Sequence, residues 1–597
     1  MATRMATVRV VMAASGNEVC KVDLTPEATV GQLRKAIGNR NGLPLLRQTL
    51  LVGALELQDN SMPLSVVFPD AGEISPWGEV QLIVRPPEAI LEEVRVMRQS
   101  LSRDNDPPIQ EAIDRGLVPL YISYLEEMVW PDLQYEACWA LTNIASGTTE
   151  QTRVVVEHGA VESFVGLLRC AARAVAEQAV WGLGNIAGDS PEFRDAVLSA
   201  NAMQELITVF VEAPPPAGQP KKRQRAGGHR LVRNLCWSLA NMCRGKPEPP
   251  LSLLQPLLQN MKDLLHISAV EDLAETCWAC AHIADGPPDR PRCLVELGIV
   301  PRLVELLEHD SPSVRTPAMR AISNIANAQD ADVQAVLDAG FLPVVMRLLR
   351  DGKTSIRKDA CKALASILSG TPAQVQQVLS IQREVCDEVV DDAQSGPAGA
   401  IIQAVEEVLQ ADARNEVRNV AIAALTNAVC TASSGREHER RPQLLRLASS
   451  FLTVLLVFEH AAENEELTSE FAPLALQQVL HSIVCINQVE HTAEEIALQC
   501  KAVGIEDYCP LAITKYAESD GGQMLLRALR EHEAASVAEL AYQVLASVNV
   551  DEPMDVDSCD MDLPEEEFSD SEALDSKSAV PFLPLQDVDM PAVRAVC

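Results

Sequence analysis

The amino-acid sequence predicts a mostly α-helical solenoid of stacked repeats, preceded by a small α+β domain. Two observations predict the solenoid. The chain has 597 residues, which is too many for one compact core, whereas repeats that contact only their neighbours can be stacked indefinitely. Aromatic residues make up only 4 % of the chain. Abundant alanine, leucine and valine instead suit thin helices that pack through small and branched side chains.

A tryptophan followed four residues later by an asparagine occurs three times. Residues four apart share one face of a helix, so each pair would present an indole and a carboxamide on one surface. Trp139 and Trp181 are 42 residues apart, and Trp237 and Trp278 are 41 apart. This period lies in the range of armadillo and HEAT repeats, and it predicts a helical solenoid of one of these two kinds; the resemblance described below implies the armadillo kind, with a right-handed superhelix. The three pairs are Trp139 with Asn143, Trp181 with Asn185, and Trp237 with Asn241.

The repeated indoles and carboxamides predict a concave peptide-binding groove. Indole walls can sandwich the aliphatic stem and ammonium group of a lysine. Each asparagine amide can hold the backbone of an extended peptide with one donor and one acceptor. The alternative is that each tryptophan is only a packing residue, and three pairs in register argue against it.

Residues 6–86 differ from everything after them. Their order of hairpin, helix and further strands resembles a ubiquitin-like (β-grasp) domain, with TLLVGALEL after the helix. Pro86 and Pro87 stand where ubiquitin has its terminal diglycine, so we predict an integral interaction module that is not conjugated. The predicted elements are strands at residues 8–12, 19–24, 48–52 and 80–84 and a capped helix at residues 25–38.

The helical region is predicted to span residues 89–549 and to contain eight to ten repeats. Glycines such as Gly159, Gly298 and Gly340 would lie at the bend before a second helix. Two inserts interrupt the period, a basic one at residues 214–230 and an acidic one at residues 381–399. Residues 550–597 are rich in acids and are predicted to form a disordered tail.

Composition excludes several classes of function. A net charge of −35 argues against direct binding of nucleic acid, and it suits either a basic partner or simple solubility. The sequence contains no uncharged apolar run of about 18 residues, the length needed to span a membrane, and no signal peptide is visible. We therefore expect an intracellular protein without membrane contact. The cysteines follow no disulfide or zinc spacing, and no nucleophile, phosphate loop or HExxH motif is present. We therefore expect no metal, no cofactor and no enzyme activity.

Three stretches resemble importin-α, the adaptor that reads nuclear localisation signals. They are CWALTNIASG at residues 138–147, EQAVWGLGNIAGD at residues 177–189, and RNLCWSLANMCRG at residues 233–245. The resemblance covers residues 107–375 strongly and the region to residue 549 weakly. It implies a cargo adaptor that acts between cytoplasm and nucleus.

The resemblance implies that the major signal-binding site is complete. Tryptophans would form the slots, asparagines would clamp the peptide backbone, and Asp189 would accept the deepest lysine, while Glu271 would steer basic peptides. The implied residues are Trp139, Asn143, Ser146, Gly147, Thr152, Gln178, Trp181, Asn185, Asp189, Trp237, Asn241, Arg244 and Glu271.

The family's second, minor site is implied in a degraded form. Lys362 and Ala423 occupy two of its tryptophan places, and Ser366 replaces one asparagine. Because each lost indole removes stacking worth on the order of 1 kcal/mol, we expect signals with one basic cluster to be preferred over signals with two. The residues that remain are Trp278, His282, Arg320, Asn324 and Asn427.

The partners that the resemblance implies are uncertain at both ends of the chain. The arginine-rich segment that binds importin-β is not visible, and residues 6–86 take its place, so docking of importin-β stays open. Residues 528–545 resemble the last repeat of the family, where its recycling exportin docks. The basic run of Lys221, Lys222, Arg223 and Arg225 itself resembles a localisation signal. It would occupy the groove of its own chain or of a second molecule, form a nucleic-acid or partner patch, or have no role.

Two other functions are consistent with the sequence. One is an armadillo scaffold that links the ubiquitin and proteasome system to basic nuclear proteins, with a ubiquitin-system partner docked on the Leu51 surface. The other is a chaperone that shields basic proteins such as histones, with the acidic tail as a competitor.

Overall fold

The computed structural model describes most of the chain up to residue 433. Contacts between residues divide the described chain into two compact units, and the boundary between them along the sequence lies between Met242 and Cys243. The predicted acidic insert and the predicted tail lie outside the described residues, as does most of the stretch 528–545. The described residues are 6–25, 27–41, 47–68, 78–126, 130–212, 221–380, 400–411, 415–433, 447, 454–455, 479, 524–527, 529 and 541.

The first unit begins with a small strand-rich region, as the alternating pattern predicts. Its elements are β1 (Ala6–Met12), β2 (Glu18–Leu24), α1 (Val30–Asn41), β3 (Gln48–Val52), β4 (Leu55–Glu56), α2 (Leu64–Val67) and β5 (Gly78–Val84). The five strands form one sheet in the order β2-β1-β5-β3-β4, in which β1 and β5 run parallel and the other neighbours run antiparallel. The core between α1 and the sheet contains Leu33, Ile37, Leu50 and Leu82.

The start of α1 differs from the prediction. The helix was predicted to begin at residue 25, but it begins at Val30. Thr29 is the reason, because the Gln32 backbone N–H donates to Thr29 Oγ1 and the Thr29 backbone N–H donates to Gln32 Oε1. This reciprocal capping satisfies two of the unpaired N–H groups at the helix start.

The rest of the first unit is helical. Each complete repeat consists of a short first helix, a second helix and a longer third helix. Helix α3 is a single helix that precedes the first complete repeat. Its helices are α3 (Pro87–Leu101), α4 (Ile109–Asp114), α5 (Leu117–Leu125), α6 (Pro131–Ile144), α7 (Thr149–Glu157), α8 (Ala160–Leu167), α9 (Arg173–Asp189), α10 (Pro191–Ser199), α11 (Ala202–Glu212) and α12 (Lys221–Cys243). The third helices stack, with α3 against α6 and α6 against α9.

The second unit continues the same pattern. Its third helices α14, α17, α20 and α23 pack in succession. The helices are α13 (Leu251–Leu264), α14 (Val270–Ala284), α15 (Asp289–Glu296), α16 (Val300–Leu306), α17 (Pro312–Ala326), α18 (Asp330–Asp338), α19 (Phe341–Leu348), α20 (Thr354–Leu368), α21 (Pro372–Ser380), α22 (Ala400–Ala411) and α23 (Asn415–Ser433). The part of the chain that the structure describes thus contains seven repeats after α3, and the total of eight to ten stays a prediction. None of the described helices is both long and apolar enough to cross a bilayer.

The predicted glycine bends are present. Gly159 precedes α8 with φ of +85°, and Gly340 precedes α19 with φ of +82°. A residue with a Cβ atom rarely adopts this left-handed conformation, so glycine lets a short first helix turn sharply into the second. The prediction from the repeated glycines is therefore confirmed.

Part of the predicted basic insert is helical. Residues 221–230 form the first turns of α12, the same 23-residue helix that carries Trp237, and residues 213–220 lie outside the described residues. Lysine, arginine and glutamine are good helix formers, and Pro220 immediately before the helix is compatible with its start. The basic run therefore extends a third helix, and the insert at residues 214–230 stays a prediction.

Candidate functional site

The three predicted pairs lie on successive third helices of the first unit. The tryptophans are half-buried, which leaves part of each indole accessible, and the asparagines are buried. We call these six residues the ladder. They are Trp139 and Asn143 on α6, Trp181 and Asn185 on α9, and Trp237 and Asn241 on α12.

The asparagines of the ladder hold neighbouring repeats together. Asn185 Nδ2 donates to the carbonyl oxygen of Thr142 at 3.2 Å, and Asn241 Nδ2 donates to that of Gly184 at 3.2 Å. In both cases the accepting carbonyl belongs to the residue immediately before the asparagine of the preceding repeat, since Thr142 precedes Asn143 and Gly184 precedes Asn185. An amide group has two N–H donors and one carbonyl oxygen, so this bond leaves a second N–H and the oxygen of each side chain. The asparagines therefore have a structural role that the sequence did not predict.

Four buried polar atoms of this surface have no hydrogen-bond partner among the described residues. Leaving a buried polar group unpaired costs roughly 1–3 kcal/mol, and most such groups in folded proteins are paired. The set contains two acceptors and two donors, which are the groups that an extended peptide backbone and a polar side chain could pair. The atoms are Asn143 Oδ1, Asn185 Oδ1, Trp139 Nε1 and Gln178 Nε2.

The repeat before the ladder places two other side chains at the equivalent positions. Arg98 and Ser102 on and just after α3 lie 41 residues before Trp139 and Asn143. The guanidinium carbon of Arg98 lies 4.2 Å from the centroid of the Trp139 ring, and Ser102 Oγ accepts a hydrogen bond of 2.8 Å from Asn143 Nδ2. Sequence reasoning missed both residues, although moving the period back by one step would have found them.

Arg98 is held in place by an acid from the same surface. Arg98 Nε donates to Glu136 Oε2 at 2.7 Å, and Arg95 Nε donates to the other oxygen of Glu136 at 3.1 Å. The carboxylate is nearly buried, so the two arginines neutralise it. Because Arg98 already covers one face of Trp139, only the other face of this indole is available to a ligand.

Asp189 lies at the carboxyl end of α9, beside Thr152. Thr152 Oγ1 lies 3.4 Å from Asp189 Oδ1 and 3.2 Å from the carbonyl oxygens of Ala145 and Thr148, and Thr152 is buried. Ser146 and Gly147 join α6 to α7, and Ser146 Oγ donates to the Asn143 carbonyl oxygen at 2.7 Å. The structure therefore brings Thr152 to Asp189 and Ser146 to Asn143, whereas the binding roles of these residues stay predictions.

Trp237 packs directly over a glycine of the preceding repeat. A Cβ atom on Gly184 would lie 2.4 Å from Trp237 Cζ3 and 2.4 Å from Ser238 Oγ. Ser238 is itself fixed, because its hydroxyl donates to the Val180 carbonyl oxygen at 2.9 Å. The absence of a side chain at Gly184 therefore allows α12 to place Trp237 in line with the other indoles.

The residues predicted for the minor site lie in the second unit. The rings of Trp278 and His282 stack with their centroids 5.8 Å apart. Asn324 Nδ2 donates to the Ala281 carbonyl oxygen at 3.1 Å, and Asn427 Nδ2 donates to that of Ala365 at 2.9 Å. The asparagine bond between repeats thus recurs in this unit.

The two places where the minor site lacks its indoles hold Lys362 and Ala423, and Arg320 is retained. Arg320 Nε donates to Asp359 Oδ2 at 2.8 Å, and Lys362 is buried. Burial, together with the smaller effects of the Arg244 and Arg320 charges, lowers the pKa of His282 to about 4. His282 is therefore neutral at pH 7 and stacks as an aromatic ring.

Two residues predicted for the major site belong to the second unit. Arg244 lies close enough to His282 to influence its pKa, and Glu271 is exposed in the first turn of α14. The sequence analysis assigned both residues to the major site, because nothing in the sequence after Asn241 marks the boundary between the two units. The side chains of Lys221, Lys222, Arg223 and Arg225 lie outside the described residues, so only their helical backbone is known.

Metal and thiol chemistry find no support in the described part of the chain. No group of three histidine, cysteine or acidic side chains there lies close enough to hold a metal ion. Burial raises the pKa of the Cys277 thiol to about 12, and it raises that of Cys280 as well. Both thiols are therefore protonated and poor nucleophiles at pH 7.

The helical repeats and their stacked third helices have the architecture of an armadillo-repeat solenoid. The family model described as Armadillo/beta-catenin-like repeat matches residues 105–146, 148–188, 287–327 and 329–369. An engineered protein solved by the Northeast Structural Genomics Consortium shares the fold, with a TM-score of 0.57 and 22 % identity over 77 % of this chain and 95 % of that chain. The prediction of an armadillo-repeat solenoid is confirmed.

Relatives in this class are importin α subunits. Importin subunit alpha-1b of Oryza sativa subsp. japonica is 43 % identical over 247 residues, which is 41 % of this chain and 43 % of the relative. Importin subunit alpha-2 of Arabidopsis thaliana is 45 % identical over 221 residues, 37 % of this chain and 39 % of the relative. Importin subunit alpha-B of Dictyostelium discoideum is 41 % identical over 239 residues, 40 % of this chain and 44 % of the relative. The matched part of the chain spans about two fifths of the length of these relatives.

The packing of Trp237 on Gly184 gives a first prediction. Gly184→Ala should lower the free energy of unfolding by roughly 1–3 kcal/mol, because the new methyl group overlaps Trp237 and Ser238. Chemical denaturation followed by tryptophan fluorescence measures the change. The matched control is Gly166→Ala on α8, where an added Cβ has no neighbour within 4 Å. That variant should be neutral or more stable because alanine favours the helix, and equal destabilisation of both variants would contradict the packing argument.

The buried imidazole gives a second prediction. Because the folded pKa of His282 is about 4 against an unfolded value of 6.5, the unfolded chain binds this proton more readily as the pH falls. The part of the unfolding free energy that depends on a neutral His282 is therefore fully present above pH 6.5. It falls by on the order of 2 kcal/mol as the pH is lowered to 4. Comparing unfolding free energies between pH 7 and pH 4.5 should show a steeper loss for the native chain than for His282→Gln. Parallel pH profiles would show that His282 does not titrate in this way.

Proposed function

We propose that the chain binds lysine-rich nuclear localisation signals as extended peptides across the ladder and acts as an adaptor for nuclear import. The observation that supports this function best is the set of four buried, unpartnered polar atoms beside three accessible indoles. A bound peptide backbone would supply N–H donors to Asn143 Oδ1 and Asn185 Oδ1, which removes their desolvation penalty. The similarity to importin α subunits supports the same function.

The proposed recognition of lysine has two parts. The aliphatic stem lies against an indole face, and the ammonium group is drawn to the ring by its quadrupole. Asp189 accepts the ammonium of the deepest lysine, and Thr152 orients that carboxylate through the bond to its Oδ1 atom. Because the chain carries a net charge of −35, long-range attraction adds to the encounter rate, and binding weakens as salt rises.

Transport would take the protein between cytoplasm and nucleus. Importin-β and a recycling exportin are the partners that the importin-α resemblance implies for such an adaptor. The basic run at the start of α12 is a candidate competitor for the same ladder because it resembles a localisation signal; to bind as an extended peptide it would unwind from the helix, in the same chain or in a second molecule.

We further propose that residues 6–86 form a ubiquitin-like interaction module. The order of the five strands, the parallel pairing of β1 with β5 and the packing of α1 on one face support this assignment. Leu51 is only half-buried on β3, so its side chain is accessible to a ubiquitin-system partner.

The ladder assignment predicts how single substitutions change peptide affinity. Trp181 lies between the other two indoles, so Trp181→Ala removes an aromatic wall from two neighbouring slots. We expect at least about a tenfold rise in the dissociation constant of a fluorescent peptide with four consecutive basic residues, measured by anisotropy. Asp189→Asn should cause a similar loss, because an amide cannot neutralise the lysine.

The second unit offers a matched control for that titration. Trp278→Ala removes the same side chain from the predicted minor site and should leave the affinity for a one-cluster peptide unchanged. Equal losses in Trp181→Ala and Trp278→Ala would argue against a site at the ladder. A chain with Lys221, Lys222, Arg223 and Arg225 changed to glutamine should bind more tightly if this run competes. Substitution is preferable to deletion, because removing residues 214–230 would cut into α12.

The replacements in the second unit predict a preference for signals with one basic cluster. Adding a second basic cluster to the peptide should improve affinity by less than about threefold, because Lys362 and Ala423 provide no indole wall. Changing both to tryptophan should increase the benefit of the second cluster. A large benefit in the native chain would mean that another surface binds the second cluster.

A further inference from the structure

Helix α3 is the third helix of a repeat whose first and second helices are absent from the described residues. It packs against α6 as α6 packs against α9, and it contributes Arg98 and Ser102 at the two ladder positions. The chain immediately before it is strand β5, which leaves only Arg85 and Pro86 between the sheet and the helix. The stack of second helices therefore begins at α5, with no second helix before it in the described chain.

The face of α5 that a preceding second helix would cover is open. Within a complete repeat, α5 packs against its own third helix α6 and against α8, the second helix of the next repeat. A preceding second helix would therefore touch both α3 and α5. A cavity of about 400 Å³ lies at that place, and its apolar lining includes Val96, Met97, Leu120, Tyr121 and Tyr124.

This face exposes apolar side chains to a degree that is unusual in the described chain. Val96 is 53 % exposed and Leu120 is 39 % exposed, which makes them two of the six large apolar residues that are exposed in the described part of the chain. Terminal repeats of a solenoid normally carry a polar outer face that keeps the stack from continuing. The α3–α5 face lacks such a cap and is suited to receive another helix of the same kind.

The rim of the cavity carries both signs of charge. Glu92 and Glu93 lie on α3, and Arg115 lies just before α5. Glu92 pairs with Arg95 and Arg115 pairs with Glu111, but these are exposed pairs within a helix and contribute little stability. In a twofold contact the same patch meets itself, so the acids of one copy would face Arg115 of the other.

We propose that the α3–α5 face is a self-association surface at which a second copy of the chain docks, so that α5 of each copy takes the place of the missing second helix of the other. The interface continues the stacking of second helices already present between α5 and α8. Its apolar centre contains Val96 and Leu120, and its rim pairs Glu92 with Arg115 of the opposite copy. This surface is separate from the ladder and does not depend on peptide binding.

The test is the mass of the full-length protein measured by sedimentation over about two decades of concentration at about 0.15 M salt. We expect a reversible dimer. Val96→Glu and Leu120→Glu should each raise the dissociation constant of the dimer by about tenfold or more, because each substitution enters a twofold interface twice. The matched control is Val66→Glu on α2, which alters a residue that is 61 % exposed on the sheet region and should leave the dimer unchanged.

A pair of charge reversals tests the twofold arrangement directly. Glu92→Lys and Arg115→Glu should each weaken the homodimer, because each places like charges opposite one another. Mixing the two variants should restore a dimer that contains one copy of each, since every contact across that interface then joins opposite charges.

Three results would overturn the proposal. The native chain could remain a monomer, the dimer could be insensitive to Leu120→Glu, or the mixed variants could fail to associate. If the protein is monomeric and Leu120→Cys resists modification by a maleimide, another segment of the chain covers this face. If that cysteine reacts readily in the monomer, the face is open and does not bind a second copy.

Discussion

The repeats depend on one recurrent hydrogen bond, from a buried asparagine side chain to a backbone carbonyl of the preceding third helix. Asn185, Asn241, Asn324 and Asn427 all make it, with donor–acceptor distances between 2.9 and 3.2 Å. Most of the other contacts between third helices are apolar, and apolar contacts tolerate sliding because they have little direction. A buried directional bond permits only one register, and a slip would leave an amide group unpaired in the core.

The same bond prepares the binding surface. Fixing one N–H of each amide orients the side chain, and its oxygen and second N–H remain for another partner. At Asn143 and Asn185 the oxygen is buried and has no partner among the described residues, so the folded chain keeps an unfavourable feature that a ligand could remove. Bonds between repeats and bonds to a peptide therefore use different atoms of one residue. This explains why substitution of a ladder asparagine is a poor test of binding alone, whereas a tryptophan can be changed with less effect on register.

Much of this arrangement could be predicted from the sequence because it is periodic. The spacing of the indoles specified the repeat class, the i and i+4 pairs placed each indole beside an amide, and the glycines marked the bends before α8 and α19. The missed features interrupt or hide the period. Arg98 and Ser102 hold ladder positions with different side chains, so a search for Trp and Asn could not find them. The helical start of α12 was hidden because a basic run next to prolines is equally typical of a loop. The true start of α1 depended on the capping pair of Thr29 and Gln32, a local contact that outweighs a run of helical residues.

The two units use one backbone pattern for different electrostatic surfaces. In the first unit, Arg98 neutralises Glu136 and covers one face of Trp139, while Asp189 supplies an anionic group farther along the ladder. In the second unit, Arg320 and Lys362 occupy indole positions, and Asp359 forms an ion pair with Arg320. A lysine that entered between these cations would lose the attraction of an aromatic face and meet like charge. Asn427 nevertheless keeps its bond to the preceding repeat and has an unpartnered oxygen within the described chain. Under the proposed function, the groups that would hold a peptide backbone persist where those that would select lysine are replaced, so fold and specificity would be set by separate positions on the same helices.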